Sequence, residues 1–385
     1  MKKFGSVGSY VLVALLTALA TVFAVKQTGY SGSQKLNQLL SLIDERFIED
    51  VDTAELEDAA AKAMIKATGD QWSYYIPASE YPAHVERSEN AYVGVGITIV
   101  VSEDPAGLEI VGISDGGGAQ EAGLQLHDVL IEIDGQSCAE MSVSDAGDLV
   151  RGEEGTTMDF TVSRDGEQMK FTVTRKRMET PVATYEMLSS GYGLITIENF
   201  ESRATTETVS AIETLMEQGA KGLIFDLRFN PGGYKKELVQ ILDYLLPEGI
   251  LFRSEFYDGT VEVDHSDANC VDIPMAVLVN QDSYSAAEFF AAALQEYGVA
   301  QVVGQQTSGK GYFQSTFRLQ DGSAAAISVG KYYTPNGVSL AGVGVTPDIP
   351  VEVDDKTYGA IYFGILEPEE DEQLQAAVAA LEEGA

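Results

Sequence analysis

The sequence predicts an α/β protein with an inserted β-rich module and a helical N-terminal region. Three observations predict it. Beyond Thr180, apolar runs of strand length alternate with helical stretches. Between about Tyr92 and Arg177, short β-runs are divided by turn dipeptides. From Lys35 to Thr68, apolar residues recur at helical spacing. At 385 residues and 45% hydrophobic content, the chain is long enough to bury more than one core.

In chain order, Lys2 and Lys3 precede an uncharged stretch from Phe4 to Val25, whose strongly apolar part runs from Tyr10. Its length and basic flank fit either a cleaved signal peptide or a retained anchor. The anchor is favoured, because no clear Ala-x-Ala site precedes Lys26. The lysines would keep that end cytoplasmic and place the rest of the chain outside the membrane. Leu36, Leu39, Leu40, Ile43 and Phe47 then mark one helix, and Thr53-Ala-Glu-Leu-Glu opens a second. Gly69 to Pro77 reads as a turn-rich aromatic segment.

The β-rich module is read from Val93–Val101, Leu108–Ile113, Val129–Ile133, Met158–Ser163 and Met169–Thr174, with short helices at Ala119–Ala122 and Ser142–Val150. Asp134-Gly135 and Asp165-Gly166 supply its turns. The α/β part alternates Gly193–Asn199, helix Ala204–Gln218, Gly222–Asp226, helix Tyr234–Leu246, Met275–Val279, helix Ser285–Tyr297 and Ala300–Gly304. A hairpin follows at Phe313–Leu319 and Ala324–Tyr333, and an acidic helix at Glu369–Glu383 ends the chain.

Composition excludes some functions. With 24 basic against 60 acidic residues, the formal charge of −36 repels nucleic acid and anionic lipid. Cys138 and Cys270 are too few for a disulfide framework and are expected as two free, buried thiols. His84, His127 and His265 are scattered, with no ligand-spaced cluster for a metal.

Ser285 follows a buried strand and opens a helix whose free N–H groups can stabilise a developing oxyanion. Alone it reads as a helix cap, since Ser285-Ala-Ala-Glu288 is also a capping-box pattern. Lys310, between Gly309 and Gly311, suits a serine's base if burial lowers its pKa from about 10.4 toward roughly 7–8. Alone it is a solvated loop lysine. Gln314 can orient that amine only if the chain bends near Gly311, because four residues of strand span roughly 13 Å. His265 offers a Ser-His-Asp alternative, but Val263 to Asp267 looks like an exposed turn. Asp226-Leu-Arg-Phe-Asn-Pro-Gly-Gly233 ends in two glycines able to present unhindered N–H groups, or forms a simple turn. In the β-module, Gly94, Val95, Gly96 and Ile97 could form a nest for a terminal carboxylate beside a strand edge.

Taken together, these residues resemble the carboxyl-terminal processing peptidases, or tail-specific proteases, with an inserted PDZ domain. The resemblance rests on Gly69-Asp-Gln-Trp-Ser-Tyr-Tyr, Gly94-Val-Gly-Ile97 and Glu121 through Gly135. It extends through Asp226 to Gly233, Val302-Val-Gly304, Gly309-Lys-Gly311 with Gln314, Tyr332 through Gly337 and Gly344 through Asp348. It implies a crotonase-like ββα peptidase core, with Ser285 as nucleophile, Lys310 as base and Gln314 orienting the lysine. Ala286 N–H and one glycine of the Gly232-Gly233 pair become the oxyanion donors. Gly94 to Ile97 and Arg151 become the tail-binding and relay residues. The implied layout is an anchor over 1–30, helices over 31–88, the PDZ domain over 89–178, the core over 179–352 and a helical tail over 353–385. No metal or cofactor is implied, and the expected partners are protein substrates with free C-terminal tails. The N-terminal helical stretch and the C-terminal helix could form a homodimer interface, as in relatives. Departures are Tyr284 and Ala287 around the nucleophile, Phe313 after the lysine, and His127 where the family usually has glycine. The alternative is a PDZ-containing scaffold that binds peptide tails without cleaving them.

Overall fold

The computed structural model describes residues 31–383, so the expected membrane segment over 1–30 lies outside the described residues. Among the described residues no helix is long and apolar enough to cross a membrane. The chain divides into two units, 1–75 and 76–385. In the first, helices α1 (Ser31–Arg46) and α2 (Thr53–Lys66) form at the predicted positions. Asp52 caps α2 by accepting from Ala54 N. Asp70 holds the aromatic turn by accepting from Trp72 N and the Ser73 hydroxyl.

The second unit opens with α3 (Tyr81–Ser88) and contains the β-module. Its sheet runs β2 (Ile97–Glu103), β3 (Ala106–Ile113), β4 (Val129–Ile133), β6 (Thr157–Arg164), β7 (Glu167–Thr174), with β5 (Gln136–Ser137) off β4. Leu108, Ile110, Leu130, Ile133, Phe160 and Val173 fill its core. The expected single strand Val93–Val101 is two, because Gly96 at φ 76° turns the chain after β1 (Ala91–Gly94). β1 pairs instead with β8 (Lys176–Glu179), forming a two-stranded neck at the module's base. Asp165 and Gly166 both have positive φ, as a tight β6–β7 hairpin requires. His127 keeps the turn at φ 69°, a conformation that favours glycine, and its Nδ1 lies 2.7 Å from Glu109.

The α/β part is built on a sheet of β9 (Ala183–Met187), β10 (Gly193–Ile197), β11 (Leu223–Asp226), β14 (Met275–Val279), β15 (Ala300–Gly304) and β18 (Ile349–Pro350), parallel after the first pair. β11 and β14 are buried along their whole length, which explains their unbroken apolar sequences. Helices α6 (Ala204–Glu217), α7 (Lys235–Leu245) and α8 (Ala286–Tyr297) cover one face. The acidic C-terminal helix, α10 (Glu372–Glu383), covers the other with Leu374, Ala377, Val378 and Leu381. It is a layer of the core rather than a free tail.

An antiparallel sheet in the order β16 (Tyr312–Arg318), β17 (Ala324–Tyr333), β12 (Gly249–Phe256), β13 (Val261–Ser266) lies beside this core. His265 sits on β13, paired with Ile250, and is not in a turn. Both cysteines are free, but only Cys138 is buried, its thiol pushed up to about 11 by burial, while Cys270 is exposed.

Candidate active site

The loop after β14 and the loop after β11 are tied together. Asn280 Oδ1 accepts from Phe229 N at 3.0 Å, the Ser283 hydroxyl donates to Leu227 O at 2.7 Å, and Tyr284 N donates to Asn230 O at 3.1 Å. The tied loop delivers Ser285 at φ 62° and ψ −120°, as N-cap of α8. A non-glycine residue there costs about 1–3 kcal/mol, and persists only because its neighbours determine it.

The glycine pair lies against this serine. A Cβ on Gly232 would come within 2.7 Å of both Ala286 N and Ser285 Cβ, so only glycine fits. The Gly232 N–H is already taken, donating to Asn230 Oδ1 at 2.8 Å. Gly233 forms a parallel bridge with Phe200 that uses Gly232 O and Tyr234 N, and so consumes neither polar group of Gly233 itself. Of the three expected oxyanion donors, Gly233 and Ala286 are therefore left by these bonds. Ala286 N–H is the first of its helix and has no intrahelical acceptor.

Glu288 joins the serine to the lysine. Its side chain is fully buried, and one oxygen accepts from Ser285 N at 3.0 Å and from Lys310 N at 2.9 Å. The other accepts from Gly309 N and the Thr307 hydroxyl, each at 2.6 Å. Burial raises its pKa, opposed by these four donors. The Lys310 Nζ lies 5.9 Å from the Tyr284 ring centroid. Gly311 lets the loop approach the next segment, since a Cβ there would meet Ala341 Cβ at 2.3 Å. In the sequence Glu288 reads only as a capping-box partner. Its second role depends on a loop about twenty residues away in sequence.

Gln314 sits where the β16–β17 register shifts, after Phe313, and its Nε2 donates to Ser328 Oγ at 2.9 Å and Tyr312 O at 3.4 Å. Buried Tyr332 donates its hydroxyl to Lys310 O. Behind the glycine loop, Arg228 pairs with Asp226 and, at 2.8 Å, with Asp371, which caps α10 through Leu374 N. In the β-module, Val95 O accepts from Ala119 N and Gly96 O from Ser114 N, tying the Gly94–Ile97 loop to the interior. Ile97 begins β2, an edge strand that packs near α5 (Val143–Val150). Arg151 ends that helix with its side chain 71% exposed, 3.5 Å from Asp148. Among the described residues no cluster of His, Cys, Asp and Glu could hold a metal ion.

A serine on a strained strand-to-helix turn, flanked by free backbone donors and a tethered lysine, defines a peptidase-type site on an α/β core. Residues 191–351 match the model of peptidase family S41, and residues 109–164 match a PDZ domain. The carboxy-terminal processing protease CtpA of Bacillus subtilis is 31% identical over 350 residues, 89% of this chain and 74% of that one. The carboxyl-terminal-processing protease of Synechocystis is 36% identical over 292 residues, 74% and 67% of the two chains. A solved structure of an S41 protease from Bacteroides fragilis shares the fold, with a TM-score of 0.52 at 16% identity, covering 84% of this chain and 90% of that one. The chain belongs to the S41 carboxyl-terminal processing peptidases, with an inserted PDZ domain, and is a serine-type peptidase.

Proposed function

We propose that the chain is an endopeptidase that cuts proteins at or near their C-termini, with Ser285 as nucleophile and Lys310 as its base. The observation that carries this reading is the Glu288 oxygen that accepts from both Ser285 N and Lys310 N. It links the two loops through a single atom. A neutral Lys310 amine takes the Ser285 proton as Oγ attacks the scissile carbonyl, and the carbonyl electron pair moves onto oxygen. Ala286 N–H and Gly233 N–H receive that oxyanion. The protonated lysine then gives its proton to the leaving amine, and water resolves the acyl-enzyme. Gln314 steadies the lysine side of the site.

The PDZ domain takes the substrate tail along edge strand β2, with the Gly94–Ile97 loop at its carboxylate and Arg151 as relay; the names of the relatives and the free edge support this. A crotonase-like core, a membrane anchor over residues 1–30, an extracytoplasmic catalytic domain and a homodimer complete the proposal. Ser285→Ala and Lys310→Ala should each abolish cleavage of an unfolded protein with an apolar C-terminus while leaving the fold intact. Undiminished turnover in either variant removes the dyad. Fragments from a proteome digest, compared by mass spectrometry with the Ser285→Ala form, would report which ends are cut.

A further inference from the structure

Gly232 and Gly233 share one trans peptide, so the carbonyl of the first and the N–H of the second point in opposite directions within one plane. Gly232 O accepts from Phe200 N at 2.8 Å, and Tyr234 N donates to Phe200 O at 2.7 Å. The first of these bonds fixes the plane, and with it the direction of the Gly233 N–H. Such a lock is needed, because a peptide between two glycines can turn over with no side chain to oppose it. Turned over, it would present the Gly232 carbonyl, not a donor, to an oxyanion.

Phe200 is itself held by its neighbours. Its ring is buried, with the Phe290 centroid 5.8 Å away. Its N–H belongs to the peptide that Asn199 begins, so turning Asn199 turns that donor. The Asn199 side chain spans Phe200, its Oδ1 accepting from Glu201 N at 2.9 Å. The same amide is paired with Asn90 in both directions. Asn199 Nδ2 donates to Asn90 Oδ1 at 2.7 Å, and Asn90 Nδ2 donates to Asn199 Oδ1 at 3.2 Å and to Ser202 O at 3.0 Å. Asn90 is buried one residue before β1, and its carbonyl accepts from Thr180 N at 2.9 Å, just beyond β8. Arg203 donates to Glu89 O at 2.9 Å and to Thr180 O at 2.6 Å. The segment that aims Gly233 is thus anchored where the chain enters and leaves the PDZ domain.

We propose that Asn199 is a positioning residue of the peptidase site, whose paired amide keeps the Gly232–Gly233 peptide turned with its N–H toward the oxyanion. The inference rests on the Ser285–Lys310 and oxyanion reading above. Asn199 acts through Phe200 N and Gly232 O rather than on the substrate. Alanine at 199 gives up all three side-chain bonds and lets the Phe200 peptide, and then the glycine peptide, leave the productive orientation.

The test is Asn199→Ala. Losing one oxyanion donor costs about 100- to 1,000-fold in kcat, and a misaimed donor costs part of that. We therefore expect kcat on an unfolded protein substrate to fall roughly 10- to 50-fold, with KM changed less than about twofold. A peptide boronate, which forms a tetrahedral adduct on Ser285, should bind more weakly by about the factor that kcat/KM loses. A residue that only holds the fold would lower the urea midpoint and leave kcat and boronate affinity at the parent values under folding conditions. A kcat within about twofold of the parent, or an unchanged boronate affinity beside a lowered kcat, would overturn the assignment. Should alanine impair folding, phenyllactic acid in place of Phe200 keeps the side chain but turns the N–H into an ester oxygen. It should lower kcat at least roughly 10-fold at constant KM, and an undiminished kcat overturns the role. Ser285→Ala is measured alongside. If it retains turnover, the dyad and this inference fall together; if it is inert and Asn199→Ala is fully active, only Asn199 is misassigned.

Discussion

Replacing Glu288 with Gln tests whether one buried carboxylate holds the serine and lysine in register. The carboxylate accepts four bonds, from Ser285 N, Lys310 N, Gly309 N and Thr307 Oγ1. An amide has one acceptor oxygen and one donor nitrogen. Either orientation therefore points an NH2 at a backbone N–H. With nitrogen on one side it opposes Ser285 and Lys310; on the other it opposes Gly309, while Thr307 already accepts from Val345 N. Each bond to the charged group contributes about 1.5–3 kcal/mol, and losing one side costs about 3–6 kcal/mol before relaxation. Neutralising a carboxyl whose pKa burial has raised offsets part of this. A net loss of about 2–4 kcal/mol remains as the expectation. Because Ser285 and Lys310 share one of those oxygens, a shift of about 1 Å between them should lower kcat roughly 100-fold. Steady-state kinetics on an unfolded substrate, with urea unfolding in parallel, separate the effects. A variant that loses stability but keeps kcat within about twofold would show that the carboxylate only holds the fold, and would refute the coupling.

Gly232→Ala should reduce fluorophosphonate labelling at least about 10-fold, since the new Cβ would lie 2.7 Å from Ser285 Cβ and Ala286 N at a backbone φ of 85°. Arg228→Ala should lower stability by about 3–5 kcal/mol in urea unfolding, because it leaves Asp226 and Asp371, 11% and 6% exposed, without their cation. Limited proteolysis should then cut α10 first. Glu201 follows the bridge residue Phe200, and burial raises its carboxyl to about 7. The folded state holds this proton more tightly than the unfolded chain does, so stability should fall by up to about 3 kcal/mol as pH rises from the ordinary 4.5 to about 7. Glu201→Gln should flatten that part of the profile, and identical slopes in parent and variant would contradict the burial argument.

Much of the order of elements was legible in the residues, because local pattern encodes which face is buried and where the chain turns. Met275–Val279 had to be an interior strand, and Asp165-Gly166 a tight hairpin. β12 and β13 are not legible for the same reason: Arg253 and Glu255 on one, and Glu262, Asp264 and His265 on the other, interrupt the apolar pattern with charged and polar side chains. Residue type and order single out Ser285, Lys310 and the glycine pair, and the family resemblance supplies their expected roles. What only the tertiary structure decided is the partner each polar group finds. Asn230 claims the Gly232 N–H and leaves Gly233, Glu288 caps its helix and also holds the lysine loop, and Tyr332 reaches the Lys310 carbonyl from a strand of another sheet. Asp371 turns the C-terminal helix from an acidic tail into a core layer by meeting Arg228, more than a hundred residues earlier. Backbone preference and hydrophobic period act over a few residues, whereas a buried donor or acceptor is satisfied by whatever the closed fold brings within about 3 Å.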